Sequence, residues 1–501
     1  LRSLVGSEMC IRDRPLPLQL PENWELSLYW RGSSARQTLE IKLLDPSGEN
    51  VWWSVRRDVP VPESWERVTV KKRHLSFAWG PRGGGELTEV GYVEFALTAG
   101  EGGKGSVWFD ELALTPLPPT REYQGTPELE ASASAANNPP SMAMDGDRAT
   151  RWRSPPGARG AQWLTVDFGE RRELGGLVIH WGEGEAAGSF AVELSRDGSQ
   201  WETVWEVEAT HGRRSFVPLP EADARFVRLR LAQPGPAGIA VAELEVQPLE
   251  FAATPNQFFA ALAQRARRGL YPRGVSAEMS QWTLVGASPG GNWRGLLGAD
   301  GAFEVAPGAY SLEPFVECDG QLMTWADVES AHSLLAGALP IPTVVWSHPC
   351  FSLEITAVVS EAGVPPASLV RYRLTDRGRC RPPSLVVALR PFQVNPPSQF
   401  LGHPGGVAPR QSLTVDLASA VLKPSGVKLF PRPRPSAVGA TAFDGGDIVA
   451  LLERGVLPPG PARGPYPSAA WRWTFTPTAD PTHEVVVVIC LLYTSPSPRD
   501  S

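Results

Sequence analysis

Short stretches in which apolar and polar residues alternate recur along most of the chain, separated by turns rich in glycine and proline. The first such stretches are WELSLYW, QTLEIKLLD, WERVTVKK, VGYVEFALT and SVWFDELAL, with the turns DPSGEN, PRGGGE and AGEGGKG between them. Because successive side chains of a strand point to opposite faces, each stretch predicts a half-buried β-strand. The repetition of such stretches predicts an all-β protein.

Two proline-rich seams, TPLPPT at 115–120 and PLEFAATP at 248–255, divide the chain into strand-rich segments. We expect three domains, over residues 15–117, 121–249 and 254–489. The third domain begins with TPNQFFAALAQRARRG. This sequence predicts a helix with Thr254 as N-cap, Pro255 in the first turn, Gln257 completing a capping box, and Gly269 at its end.

The two ends of the chain differ from the rest. Back-translated, LVGSEMCIRDR and CLLYTSPSPRD are reverse complements of one another, as expected of a transposon-type sequencing adapter read as protein. We therefore expect residues 1–14 and 490–501 to lie outside the native fold. On this interpretation the chain is an internal piece of a longer bacterial protein.

Charge and cysteine content narrow the classes of partner and compartment. The formal net charge of −7 comes with no basic cluster, which argues against a nucleic-acid partner. Cys318, Cys350 and Cys380 are too few for a disulfide framework. Unpaired cysteines favour a compartment that is not strongly oxidising, whereas proteins built from several β-sandwiches commonly act outside the cytoplasm. We favour a periplasmic, surface or secreted location.

The middle segment carries five motifs in order: MAMDGDRATRW, QWLTVDFG, SRDGSQW, RFVRLR and AELEV. Together they resemble the discoidin domain, also called the coagulation factor five/eight type C domain, over residues 121–249. The resemblance implies a galactose-binding-like jelly-roll sandwich whose DGD loop packs against the last strand around a small cation. It assigns the ligands to backbone carbonyls near Met142 and to the side chains of Asp145, Asp147, Thr150 and Glu243.

Mixed carboxylate and carbonyl oxygens are what Ca²⁺ prefers, and Gly146 permits a tight turn between the two aspartates. We therefore expect a structural Ca²⁺ ion. The alternative is an Asx turn that holds no metal.

The same resemblance places Trp152, Trp163 and Trp201 in the core and ligand binding on the loops 153–160, 181–188 and 208–215. For a carbohydrate ligand, His211, Arg213 and Arg214 are suited to grip hydroxyls or an acidic sugar, and Trp181 offers a stacking surface. The alternative is that these loops are merely solvated. Because the loops have no exposed apolar spikes, we do not expect membrane binding.

The first segment, with its closing strand SVWFDELAL, resembles the galactose-binding-like, carbohydrate-binding sandwiches. In VWWSV, Trp52 and Trp53 point to opposite faces of one strand. At most one ring enters the core, and the other, for which we name Trp53, is a ligand platform or a contact between domains. Asp110 is either a cation-holding acid or a plain charge at a strand edge.

The third segment resembles the β-supersandwich that precedes an α/α-barrel catalytic domain in bacterial glycoside hydrolases and phosphorylases. Motifs for a metalloprotease, an α/β-hydrolase or a phosphate loop do not occur in the sequence. Four acids lie close together in SLEPFVECDGQLMTWADVE, namely Glu313, Glu317, Asp319 and Asp327. We expect the catalytic acids beyond residue 489 instead.

Two functions follow. In the first, the chain is the non-catalytic, glycan-binding front of a bacterial carbohydrate-active enzyme whose helical catalytic domain is missing. In the second, it is part of a surface adhesion protein that carries out no chemistry.

Overall fold

The structure is a computed structural model that describes residues 8–12, 18–99, 104–118, 123–158, 160–232, 235–286, 294–360, 367–401, 404–409, 411–424, 426–458, 460, 462–476 and 480–491. The fold is nearly all-β, which confirms the prediction from the alternating pattern. By their contacts, residues 1–126 with 171–173 form a first unit, and residues 127–170 with 174–501 form a second.

The described residues of the first unit form ten strands. They are β1 (Glu8–Arg12), β2 (Leu18–Gln19), β3 (Trp24–Ser33), β4 (Gln37–Leu44), β5 (Val51–Val59), β6 (Glu66–Lys71), β7 (Ser76–Trp79), β8 (Glu89–Val90), β9 (Tyr92–Ala99) and β10 (Ser106–Pro116). A five-stranded sheet has the order β1-β9-β4-β5-β7 and a three-stranded sheet the order β10-β3-β6. The apolar core of this unit includes Trp24, Trp30 and Trp52.

Strand β1 differs from the expectation that residues 1–14 take no part in the fold. Its backbone pairs antiparallel with β9, with Ile11 opposite Phe95. The physical reason is that β9 would otherwise be an edge strand, whose unpaired N–H and C=O groups accept an extended segment of almost any sequence.

The second unit begins with the segment that resembles a discoidin domain, called here the second segment. Its strands are β11 (Glu128–Ala131), β12 (Trp152–Arg153), β13 (Gln162–Trp181), β14 (Ser189–Ser195), β15 (Glu202–Val207), β16 (Arg214–Ala232) and β17 (Ala240–Gln247). They pair in the order β12-β17-β13-β16-β14-β15, and β11 pairs with β13. A 3₁₀ helix over Pro140–Ala143 packs against β17.

The third segment contains two eight-stranded antiparallel sheets. Its elements are α1 (Pro255–Arg265), β18 (Trp282–Gly286), β19 (Arg294–Gly298), β20 (Phe303–Glu304), β21 (Ser311–Cys318), β22 (Gln321–Met323), β23 (Glu329–Leu335), β24 (Leu339–Ser347), β25 (Phe351–Ser360), β26 (Ala367–Asp376), β27 (Ser384–Arg390), β28 (Leu413–Asp416), β29 (Val421–Pro424), β30 (Val427–Arg432), β31 (Ala437–Thr441), α2 (Ile448–Leu452), β32 (Ser468–Thr474) and β33 (Thr482–Leu491). The inward residues of both sheets form one buried apolar cluster that includes Trp346 and Trp471.

Helix α1 begins as the sequence predicts, with the Thr254 hydroxyl accepting a hydrogen bond from the Gln257 amide. It ends at Arg265, earlier than the predicted end at Gly269. The chain turns extended at Ala266, and Gly269 lies in the turn that follows, with a φ of +94°.

The second and third segments pack together, although the sequence predicts a seam at 248–255. Phe258 and Phe259 of α1 are 1% exposed and share one apolar cluster with Val178, Phe251 and Phe443. The seam is therefore a packed junction within the second unit.

Neither α-helix among the described residues combines the length and the apolar content needed to cross a membrane.

Contrary to the expectation that the native cysteines are unpaired, Cys350 and Cys380 are joined as a disulfide, and Cys318 is a buried free thiol. The sequence could not show this pairing because the two cysteines lie on different turns.

Candidate functional site

The DGD loop and the last strand of the second segment come together as the sequence predicts. The Asp145 carboxylate accepts hydrogen bonds from the Thr150 hydroxyl at 2.7 Å and from the Asp147 amide at 3.0 Å. Glu243, on β17, accepts a hydrogen bond from the Gly146 amide at 3.1 Å. Gly146 has a φ of +81°, a conformation that favours glycine.

Burial and neighbouring carboxylates affect the ionisation of Glu243 in this cluster. Glu243 is only 8% exposed, and its burial, followed by the charges of Asp145 and Glu245, raises its pKa. The oxygen donors also fit Ca²⁺, because the set combines carboxylates with a hydroxyl. The hydrogen bonds described above equally form a complete Asx turn, so an ion would have to replace several of them.

One end of the second segment gathers polar side chains from two of the predicted binding loops. His211, Arg213 and Arg214 are exposed, and Arg213 forms an ion pair with the exposed Glu183. Glu185, in the same loop as Glu183, is buried. Its carboxylate forms ion pairs with the two arginines that flank Trp152, namely Arg151 at 3.2 Å and Arg153 at 2.6 Å.

The backbone of these loops is held firmly. The Trp181 amide donates to the Arg213 carbonyl at 2.9 Å, and the Gly182 amide donates to the Ala240 carbonyl at 2.9 Å. The loop around Arg213 is also anchored to the third segment, because the His211 amide donates to the Gly445 carbonyl. The exposed side chains therefore project from loops whose backbone is hydrogen-bonded to neighbouring elements.

Trp181 does not offer the stacking surface that the sequence predicts. Its ring is 5% exposed, packs against Phe190 at 5.5 Å between centroids, and donates its indole N–H to the Ser215 hydroxyl at 2.9 Å. Trp181 is the last residue of β13, which lies between β17 and β16 in the sheet. Its ring is therefore part of the packed interior and not of the loop surface. Trp152 is fully buried, and Trp163 and Trp201 are partly buried.

In the first unit, Trp53 lies at the end of a polar row that crosses three strands. Glu94 on β9 is opposite Lys42 on β4, and Lys42 is opposite Trp53 on β5. The Lys42 ammonium lies 3.2 Å from Glu40 and 3.3 Å from Glu94. Burial lowers the pKa of Lys42, but its hydrogen bonds to Glu40 and Glu94 raise it by more, so the ammonium stays charged.

The row ends in a pair of tryptophans. Trp53 meets Trp79 edge to face, with 5.7 Å between ring centroids, and Trp79 is 48% exposed. The Lys42 ammonium lies 5.5 Å from the centre of the Trp79 ring. Trp52, the neighbour of Trp53 on the same strand, has its ring buried in the core.

Sequence reasoning missed the part played by Glu40, Lys42 and Glu94. The available signal was the alternation in LEIKLL, which places Glu40 and Lys42 on the face opposite Leu39, Ile41 and Leu43. What the sequence could not supply was the register between β4, β5 and β9.

Two other exposed tryptophans of the first unit flank an arginine. The Arg31 guanidinium lies 4.9 Å from the centre of the Trp65 ring and 5.5 Å from that of Trp108. Asp110 caps the amide of its neighbour Glu111 at 2.9 Å, as a charge at a strand irregularity does.

The four acids of the third segment are each engaged by a separate partner. Glu313 is buried against Arg390, Glu317 pairs with Arg472, Asp319 accepts the Arg381 amide, and Asp327 pairs with Arg267. Each of these four carboxylates is therefore occupied by a partner of its own.

The second segment of the chain matches the model of a known protein family. Residues 128–244 match the model of the F5/8 type C domain. Among curated proteins, none matches the chain.

Several solved structures are similar to about a quarter of the chain. One is chitosan-binding module 2 of a chitosanase/glucanase from Paenibacillus sp. IK-5, in complex with chitotriose. The sequence identity is 25%, the match covers 24% of this chain and 95% of that chain, and the TM-score is 0.23. Module 1 of the same enzyme has 27% identity, 24% and 92% coverage and a TM-score of 0.23. A third is the family 32 carbohydrate-binding module of NanJ from C. perfringens, in complex with galactose, with 20% identity, 24% and 92% coverage and a TM-score of 0.23. From the family match and the motifs that the strands carry, residues 128–244 of this chain form an F5/8 type C domain.

Proposed function

We propose that this protein binds carbohydrate through its first unit and its F5/8 type C domain. The observation that carries the proposal is the half-exposed Trp79, fixed edge to face by Trp53 at the end of the row formed by Glu94 and Lys42. A pyranose has an apolar face of C–H groups and a rim of hydroxyls. A half-exposed aromatic ring complements the apolar face of the sugar.

The F5/8 type C domain supplies a second contact surface of different character. Its loops present His211, Arg213, Arg214 and Glu183, which are exposed donors and acceptors suited to hydroxyls or to a sugar carboxylate. An aromatic platform is lacking among these loop residues, because Trp181 is buried. We therefore expect this surface to bind weakly by itself and to add avidity when both surfaces engage one polymer.

In this proposal Asp145, Asp147, Thr150 and Glu243 hold one Ca²⁺ ion. The role of the ion is structural: it ties the DGD loop to β17 and stabilises the folded domain. The support is the buried Glu243, whose pKa is raised by burial and by Asp145 and Glu245.

We further propose that the chain serves as the glycan-binding part of a carbohydrate-active enzyme. The support is the long third segment of two eight-stranded sheets, which packs against the F5/8 type C domain through α1. An adhesion protein is the competing proposal, and assays of glycan hydrolysis and phosphorolysis on the protein expressed from its native gene distinguish the two.

The direct test is affinity electrophoresis of the whole chain in gels containing chitosan, galactans, pectin or alginate. We expect retardation by at least one polymer, and loss of most of it in Trp79→Ala with Arg213→Ala. Retention of full retardation in that double variant would contradict the assigned surfaces. An absence of retardation on a broad glycan panel, with and without Ca²⁺, would refute carbohydrate binding itself.

A further inference from the structure

Three turns of the third segment meet at one end of its two sheets. Cys318 and Asp319 lie where β21 turns into β22, Cys350 lies between β24 and β25, and Cys380 lies between β26 and β27. One ligand atom of each residue, three sulfurs and a carboxylate oxygen, lies within 4.8 Å of all the others. Among the residues that the structure describes, this is the one group of three or more cysteine, histidine or acidic side chains gathered so closely.

We propose that Cys318, Asp319, Cys350 and Cys380 bind one zinc ion. Thiolates are preferred ligands of zinc, and structural zinc sites have four protein ligands in a tetrahedron. With Zn–S bonds of about 2.3 Å and Zn–O bonds of about 2.0–2.2 Å, the ligand atoms of such a site lie roughly 3.5–3.8 Å apart. The four ligand atoms of the cluster lie within 4.8 Å of one another, and reduction of the disulfide lets the sulfurs of Cys350 and Cys380 separate to this distance.

The competing state is the disulfide between Cys350 and Cys380. Their Cα atoms are 5.6 Å apart, a separation that suits either a disulfide or two thiolates on one ion. A disulfide alone leaves two observations unexplained. The third sulfur, that of Cys318, is buried beside the pair, and the Asp319 carboxylate completes the group.

Neighbouring contacts hold the ligand-bearing turns in place, as supporting groups do around metal ligands. Asp319 has a φ of +51° and accepts a hydrogen bond from the amide of Arg381, the residue after Cys380. The Cys350 amide donates to the His348 ring at 3.2 Å, and that ring stacks on Phe351.

The local charge also suits an anionic metal centre. Three thiolates and one carboxylate with Zn²⁺ leave a net charge of minus two. Cys380 is flanked in sequence by Arg377, Arg379 and Arg381. The Arg377 side chain donates to the His348 carbonyl at 2.9 Å, which places one of these cations at the β24–β25 turn.

The consequence of metal binding would be a clamp between the two sheets. β21 and β27 belong to one eight-stranded sheet, and β24, β25 and β26 belong to the other. Metal binding starts from the reduced cysteines. A dithiol reductant gives two electrons and two protons to the disulfide, and the zinc ion then displaces the protons of three thiols, which pass to the buffer.

The test is metal analysis of the whole chain purified with a dithiol reductant and then exposed to zinc and desalted. We expect one equivalent of bound zinc, and with Co²⁺ in its place the intense charge-transfer and visible bands of tetrahedral thiolate coordination. Cys318→Ser should lose the zinc, although Cys318 takes no part in the disulfide. Cys490→Ser, a cysteine outside the cluster, should keep it.

If Cys318→Ser does not fold, dye labelling of the wild-type protein tests the zinc site instead. Thiol-reactive dye should label Cys318, Cys350 and Cys380 slowly in the zinc-loaded protein and rapidly after a chelator is added. Asp319→Asn, an exposed and conservative change, should weaken zinc retention without unfolding the protein. Well under one equivalent of zinc after reduction, with dye labelling that ignores zinc and chelator, would overturn the proposal in favour of a structural disulfide.

Discussion

The backbone amide of His211, in a loop of the F5/8 type C domain, donates a hydrogen bond of 2.6 Å to the carbonyl of Gly445 in the third segment. Beside it, Phe216 stacks on Phe443 with 6.1 Å between ring centroids. The loop that presents Arg213 is therefore not a free hairpin. Its conformation depends on a neighbouring segment more than two hundred residues away in sequence.

Arg213→Ala should weaken glycan binding by the F5/8 type C surface while leaving the melting temperature almost unchanged. The side chain is 58% exposed and pairs with the exposed Glu183, so its contribution to folding is small. Arg434→Ala, which removes an exposed arginine from the third segment, is the matched control. Affinity electrophoresis checks the prediction, and equal retardation of both variants would remove Arg213 from the site.

Trp79→Ala should weaken binding by the first unit about tenfold, which corresponds to about 1.4 kcal/mol, because the exposed ring face for stacking is lost. Trp79→Phe keeps an aromatic face and should retain a measurable part of the affinity. Isothermal titration with a soluble oligosaccharide of the polymer that retards the protein measures both. If alanine and phenylalanine have the same effect, the ring does not stack on the ligand.

Calcium should raise the melting temperature, and chelator should lower it. A ligand that binds only the folded state stabilises it by about 2.7 kcal/mol when present at about 100 times its Kd. Asp145→Ala combined with Asp147→Ala should abolish this dependence on Ca²⁺. Asp197→Ala is the control, because Asp197 also closes a turn before a glycine by accepting the Ser199 and Gln200 amides. A wild-type protein that melts alike with Ca²⁺ and with chelator would show that the DGD loop is an Asx turn without metal.

Stability should fall as the pH rises toward 8, partly because of Asp444. Burial, together with the charge of Glu208, raises the pKa of Asp444 to about 7. Since the pKa in the unfolded chain is about 4, the contribution of the protonated form is complete below about pH 4 and is lost as the pH rises through about 7. At about 1.4 kcal/mol per pKa unit, the loss has an upper limit of about 4 kcal/mol.

Asp444→Asn keeps the shape of the side chain and removes its ionisation. Chemical denaturation at several pH values should show a flatter profile for this variant than for the wild type, with the larger gain near pH 8. Parallel profiles for the two proteins would mean that Asp444 does not titrate as proposed.

The alternating pattern of the sequence determined the all-β fold and the face on which many side chains lie, because the period of a strand fixes which residues share a face. It indicated that Trp52 and Trp53 point to opposite faces of one strand, and the resemblance carried by the DGD and AELEV motifs implied that Asp145 and Glu243 would meet. Local capping chemistry likewise determined where α1 begins, since the Thr254 cap needs only the residues next to it.

Only the tertiary structure decided the rest, because it depends on register and on contacts between distant turns. Strand register set Lys42 between Glu94 and Trp53, and packing against Phe190 buried the Trp181 ring. The cysteines show the same limit. Their spacing in sequence contains no metal-binding motif, yet three turns of two sheets bring Cys318, Cys350 and Cys380 to one point.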